Sequence, residues 1–117
     1  MANPNNRRGD DGFEFFGGTV NTRYLISAFN TDDSFDFDQG FRGNHQFWFV
    51  IQRDDLGDKM GEYDSGDDGA LTAEPRANPQ IYNATFIGSG VENTNPKSND
   101  GLNWKEFGGG AMINSIF

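Results

Sequence analysis

The sequence predicts an all-β chain wound as a solenoid, and three observations carry that expectation. A short acidic and aromatic phrase returns along the chain, the segments around it alternate with period two, and Gly, Asn and Asp punctuate every segment. Aligned on the phrase, Phe13-Glu14-Phe15-Phe16, Phe35-Asp36-Phe37-Asp38, Gly61-Glu62-Tyr63-Asp64 and Leu102-Asn103-Trp104-Lys105 each hold a polar residue and then an aromatic one at the two central positions. A second series interleaves with the first: Asn21-Thr22-Arg23-Tyr24, Asn44-His45-Gln46-Phe47, Asn83-Ala84-Thr85-Phe86 and Asn114-Ser115-Ile116-Phe117 each read Asn, two variable residues, aromatic. Repetition of this kind implies equivalent units stacked on one another.

The elements follow in chain order. GFEFF and SFDFD alternate as half-buried strands do, and RYLISAF, QFWFVIQ and IYNATFIG are rich in aromatic and β-branched residues. No helical periodicity persists between the glycines, asparagines and prolines. The 16 glycines place tight turns between short strands. Units of two or three short strands suit a parallel β-helix, in which equivalent residues of successive turns stack about 4.8 Å apart. The expected architecture is a single domain over residues 1–117, a truncated right-handed parallel β-helix of about four turns. Residues 1–11 are expected as a flexible N-terminal segment, 53–80 as a long acidic loop excursion and 88–100 as a second excursion. Phe15, Phe37, Tyr63 and Trp104 are expected to stack inside. Asn21, Asn44, Asn83 and Asn114 are expected to form a ladder at one corner, where Asn tolerates a left-handed backbone and its amide bonds the copies above and below. The competing reading of these asparagines is a set of ordinary turns.

Composition narrows the function. With 18 acidic residues against 9 basic ones, the net charge of -9 repels nucleic acid and anionic membrane and attracts cations. No apolar run is long enough to insert in a bilayer, and MANPNNRRGDD has no hydrophobic stretch of signal-peptide type. With no cysteine, neither disulfides nor thiolate metal sites hold the fold.

GDDGFEFFGGTVNTRYLISAF, DDSFDFDQGFRGNHQFWFVIQRD and NPQIYNATFIG resemble the C-terminal region of a group of secreted bacterial proteins of right-handed parallel β-helix form. The resemblance runs over roughly residues 9–117 and implies a fold and an extracellular or cell-surface location, with no activity attached. The proteins it resembles have further turns before this region and continue after it. A coil cut at both ends exposes strand edges and a hydrophobic cross-section, so a homo-oligomer joined through the coil ends is expected.

Alternation places Glu14, Asp36 and Glu62 in one outward column and Phe16, Asp38, Asp64 and Lys105 in its neighbour. Carboxylates facing one another on adjacent strands repel, which calls for a cation, a basic side chain or a raised pKa. Calcium is the candidate ion, and solvated, screened carboxylates are the alternative. A further acidic group, Asp64, Asp67 and Asp68 with Asp54, Asp55 and Asp58 before it, resembles an EF-hand loop. Its third and twelfth positions are Gly66 and Pro75, which removes two ligands. A polysaccharide lyase or hydrolase would need two placed carboxylates or an acid cluster beside a base. Arg42, Lys59 and Lys105 are the bases near the acids. His45 reads as an exposed strand residue. Outward Phe16, Trp48 or Trp104 would favour a carbohydrate-binding or adhesive module. The reading that results is a non-catalytic structural or binding module of an exported bacterial surface protein, stabilised by calcium, with polysaccharide as candidate partner. A remnant of a polysaccharide-processing enzyme is the alternative.

Overall fold

The computed structural model describes residues 9–66, 72–97 and 101–117, and among them every regular element is a β-strand. The first coil carries β1 (Phe13–Phe16), β2 (Thr22–Arg23) and β3 (Ile26–Ala28), and the second β4 (Phe35–Asp38), β5 (Arg42–Gln46) and β6 (Phe49–Ile51). The third holds β7 (Gly61–Tyr63), β8 (Asn78–Tyr82) and β9 (Thr85–Ile87), and the fourth β10 (Leu102–Trp104) and β11 (Ala111–Ile113). Each of the first three coils gives one strand to each face and the fourth gives strands to two, so sheet A is β1-β4-β7-β10, sheet B is β2-β5-β8-β11 and sheet C is β3-β6-β9. All pairings are parallel, and Ile116 extends sheet C through an isolated bridge to Thr85. The chain is a parallel β-helix of four coils.

Period-two alternation sorts the side chains. In β4, Phe35 and Phe37 are fully buried while Asp36 and Asp38 face outward. The aromatics stack from coil to coil: Phe15 lies 5.6 Å from Phe37, Phe37 4.6 Å from Tyr63, and Tyr63 meets Trp104 edge-on at 4.5 Å, although Trp104, expected inside, is 40% exposed on the fourth coil. Beside this column Phe13 stacks on Phe35 at 5.1 Å, and Phe35 on Trp48 at 4.0 Å. Each buried ring contributes roughly 1.5–3 kcal/mol from area alone. With only 34% of the residues hydrophobic, these few large side chains carry the core.

The B-to-C corner departs from the single asparagine ladder expected from the sequence. The residues there with left-handed backbone are Tyr24 (φ 60), Phe47 (φ 58), Asn83 (φ 55) and Asn114 (φ 52). Register puts these four in one column, because Gln46 pairs with Tyr82 and Tyr82 with Ile113. Asn21 and Asn44 sit in a different column, three residues earlier, where the Asn21 side-chain oxygen accepts the Asn44 backbone N–H at 2.7 Å. Asn114 donates to Asn83 through their side-chain amides. Asn21, Asn44, Asn83 and Asn114 therefore form two pairs. The aromatic that follows each Asn misled the alignment: Tyr24 and Phe47 are corner residues, whereas Phe86 and Phe117 lie past the corner and stack on each other at 5.6 Å. Tyr24 and Phe47 bear the steric strain that Asn avoids, and their rings stack in compensation at 5.1 Å with 9° between planes.

Two other expectations are corrected. The span 53–80 contains β7 and the first part of β8, so it is not one excursion: a core strand of sheet A interrupts it. His45 is fully buried, because β5 places it inward in the column with Thr22 and Ile81. Its Nδ1 shares a 2.9 Å hydrogen bond with the Thr22 hydroxyl, which also accepts from Trp48 Nε1 at 2.9 Å. Burial lowers the His45 pKa to about 4, so the ring is neutral at physiological pH. Trp48 is buried against it and does not face solvent. Residues 1–8 of the N-terminal segment, and Asp67 and Asp68, lie outside the described residues.

Gly40 joins sheets A and B with φ +74, and a Cβ there would lie 2.0 Å from the Pro75 carbonyl oxygen. Gly40→Ala adds overpacking to left-handed strain. We expect it to lower stability by about 1–3 kcal/mol, read as a lower urea midpoint with unchanged slope.

Candidate functional site

The outer face of sheet A gathers the acids. Glu14 pairs with Asp36 and Asp36 with Glu62, and Asn103 continues the column below Glu62. Backbone bonds from Asp64 N to Phe37 O (2.7 Å) and from Lys105 N to Tyr63 O (3.1 Å) carry the ladder one residue further. They align Asp38, Asp64 and Lys105 as the second column, headed by Phe16, which is exposed.

A third column, Asp11 and Asp33, enters from the turn before sheet A. The Asp11 carboxylate accepts the Asp33 backbone N–H at 2.9 Å, and that of Asp33 accepts the Lys59 N–H at 2.6 Å. Each carboxylate thus ties its coil to the next. The sequence columns omitted these two, although both stand two residues before the first phenylalanine of their phrase, in DDGFEF and DDSFDF.

The columns converge. Asp36, Asp38 and Asp64 bring carboxylate oxygens within 4.8 Å of one another, as do Asp33, Asp36 and Glu62, and Asp11, Glu14 and Asp36. Asp36 is common to all three sets. Burial, then the charges of Asp38, Asp11, Asp33 and Glu62, raise its pKa to about 8. Burial likewise raises Asp33 to about 7 and Asp11 to about 6, against the pull of the backbone N–H bonds each accepts. Asp64 is also raised by burial, although the neighbouring Lys105 acts to lower it. The Oδ1 atoms of Asp36 and Asp64 are buried and have no hydrogen-bond partner among the described residues.

Lys105 sets the lower boundary of the cluster. Its Nζ lies 3.0 Å from both Glu62 Oε2 and Asp64 Oδ2. Burial acts to lower its pKa, but the bonds to Glu62 and Asp64 outweigh that and hold it above the usual lysine range. Asn103 completes the arrangement, donating to Glu62 Oε1 at 3.3 Å.

Asp32 adjoins the third column, its carboxylate within 4.8 Å of those of Asp11 and Asp33, and other acids form ion pairs elsewhere. Arg53 takes Asp55 in a two-pronged pair at 2.7 Å, and Lys59 pairs with Asp58. Asp32 lies 3.7 Å from Lys97. Of the bases noted in the sequence, Arg42 lies in sheet B and Lys59 is engaged with Asp58 and the Lys97 carbonyl, which leaves Lys105 among the columns.

Oxygen-ligated calcium takes its ligands at about 2.3–2.6 Å, so two oxygens on one ion are at most about 5 Å apart. The 4.8 Å clusters meet that limit. An unpartnered, buried carboxylate oxygen is also what a cation would satisfy. Asp36, Asp38 and Asp64, with Asp33 and Glu62 adjoining, are thus chemically suited to a hard divalent ion.

Residues 5–117 match the family described as pectate-lyase like beta helix domain. No curated protein and no solved structure is a match at the required level of similarity. The match covers nearly the whole chain and agrees with its stacked parallel sheets, so the chain belongs to the pectate-lyase-like beta helix domain family.

Proposed function

We propose that the chain is a non-catalytic structural and binding module of an exported bacterial surface protein, a β-helix whose acidic face holds calcium across adjacent coils. The observation that carries this reading is the Asp36, Asp38 and Asp64 cluster, with two of its buried oxygens left unpartnered. An ion there would neutralise charges that the fold brings together and would link β4 to β7. Polysaccharide is the partner class suggested by the family.

The state of Lys105 favours binding over catalysis. A lyase base must be neutral to take a proton, and Lys105 is held as a cation between two carboxylates. Asp36, with its pKa raised to about 8, supports a second reading, in which it donates a proton in polysaccharide cleavage.

Thermal melts with calcium and with chelator test the first reading, and product assays on an oligosaccharide panel test the second. A calcium-dependent rise in melting temperature with no product supports the proposal. Turnover that Asp36→Asn abolishes would replace it with the enzymatic reading, and melts indifferent to calcium would remove the ion.

A further inference from the structure

Sheet C turns an uncharged, apolar surface outward. Register stacks Ile26, Phe49, Thr85 and Ile116 in one outward column and Ala28, Ile51 and Ile87 in the next. Tyr24 and Phe47 continue the surface around the B-to-C corner. Their exposure is high for apolar side chains: Ile26 is 67% exposed, Ile116 68%, Tyr24 69% and Ile87 44%. The inward residues between them, Ser27, Val50 and Phe86, are buried, so the columns are a true second face and not loosened core.

We propose that this face pairs with the same face of a second copy of the chain, sheet C against sheet C. Three features select that occupant. Ile26, Ile87, Ile116, Tyr24 and Phe47 are all exposed and contiguous, a patch of the kind that marks association where scattered single residues would not. The chain has net charge -9, with its convergent carboxylates on sheet A, whereas no residue of the two sheet C columns is charged. Self-association is least opposed by repulsion where neither copy presents charge. Flat stacked strands also let two sheets approach to about 10 Å, with their outward side chains interleaved. The Tyr24 and Phe47 stack then gains a role: its strained corner places two rings at the edge of the interface.

Pairing through this surface is distinct from joining at the coil ends, and the two are separable. Sedimentation equilibrium of the full chain at about 10–100 µM is expected to show a dimer that persists at high salt, as apolar association does. Ile26→Lys and Ile87→Lys should each shift it to monomer, with unchanged far-UV circular dichroism because both side chains point away from the core. Lysine lowers the net negative charge, so the loss of dimer would not be general repulsion. Ile26→Leu should keep the dimer. If one lysine variant fails to fold, the other, on a different strand, gives the same reading. A wild-type chain that stays monomeric at about 100 µM overturns the proposal, as does a dimer that survives both lysine substitutions.

Discussion

Phe37→Ala is expected to remove a large share of the stability of the fold. Phe37 is fully buried and touches five rings: Phe15, Phe41, His45, Trp48 and Tyr63, at 4.6–6.2 Å between centroids. Removing a buried phenylalanine costs about 3–5 kcal/mol, transfer and cavity together. A domain of this size has about 5–15 kcal/mol in total. The neighbours cannot close the gap, because Phe15, His45 and Tyr63 are held in strands and Phe41 and Trp48 in corners whose carbonyls accept backbone bonds from the next coil. Urea titration followed by circular dichroism measures the loss. Phe16→Ala is the comparison: its side chain is 59% exposed on the same strand face as the acids, and its loss should stay within about 0.5 kcal/mol. Equal losses for the two variants would contradict the inward and outward assignment of sheet A.

Calcium is expected to raise the melting temperature by about 10 °C, and more at pH 8 than at pH 6.5. Ligand at 100 times its dissociation constant adds about 2.7 kcal/mol, and each kcal/mol moves a chain of this length by about 4 °C. The pH dependence follows from the direction of the carboxylate shifts. Asp33 and Asp36 have folded pKa values near 7 and 8, above the ordinary 3.8, so between pH 6.5 and 8 the native state binds more protons than the unfolded state. Stability without calcium must then fall as pH rises through that window. His45 acts in the opposite sense. Its folded value near 4 lies below 6.5, so it favours the folded state as pH rises between those values and is neutral in both states above them. Melts in chelator from about pH 7.5 to 8, a full unit above the higher His45 value, therefore isolate the carboxylates. Asp36→Asn should flatten that slope, abolish most of the calcium shift, and melt above the wild type at pH 8 in chelator. A wild-type slope that rises with pH, or a calcium shift that Asp36→Asn leaves intact, would contradict the site.

Sheet A was the most legible part of the molecule. FEFF and FDFD show their two faces directly, since successive side chains of a strand point to opposite sides. The columns Glu14, Asp36, Glu62 and Asp38, Asp64, Lys105 follow once the repeated phrases are set in register, and the structure places them so. Asp11 and Asp33 were hidden because they stand before the alternating run, where backbone direction depends on the turn. His45 was misjudged for a related reason: RGNHQ has no alternation of its own, and its inward side is settled by Thr22 above and Ile81 below.

The sequence by itself therefore determined the all-β class, the coil count and the acidic and aromatic sides of sheet A, because these follow from local alternation and from repetition. Tertiary structure alone decided which residues meet at the B-to-C corner, that His45 enters the core, and that Asp36 lies at the centre of three carboxylate clusters. Those outcomes depend on register between coils of unequal length. Register is set by how the inward rings stack across coils, and no single coil contains that information.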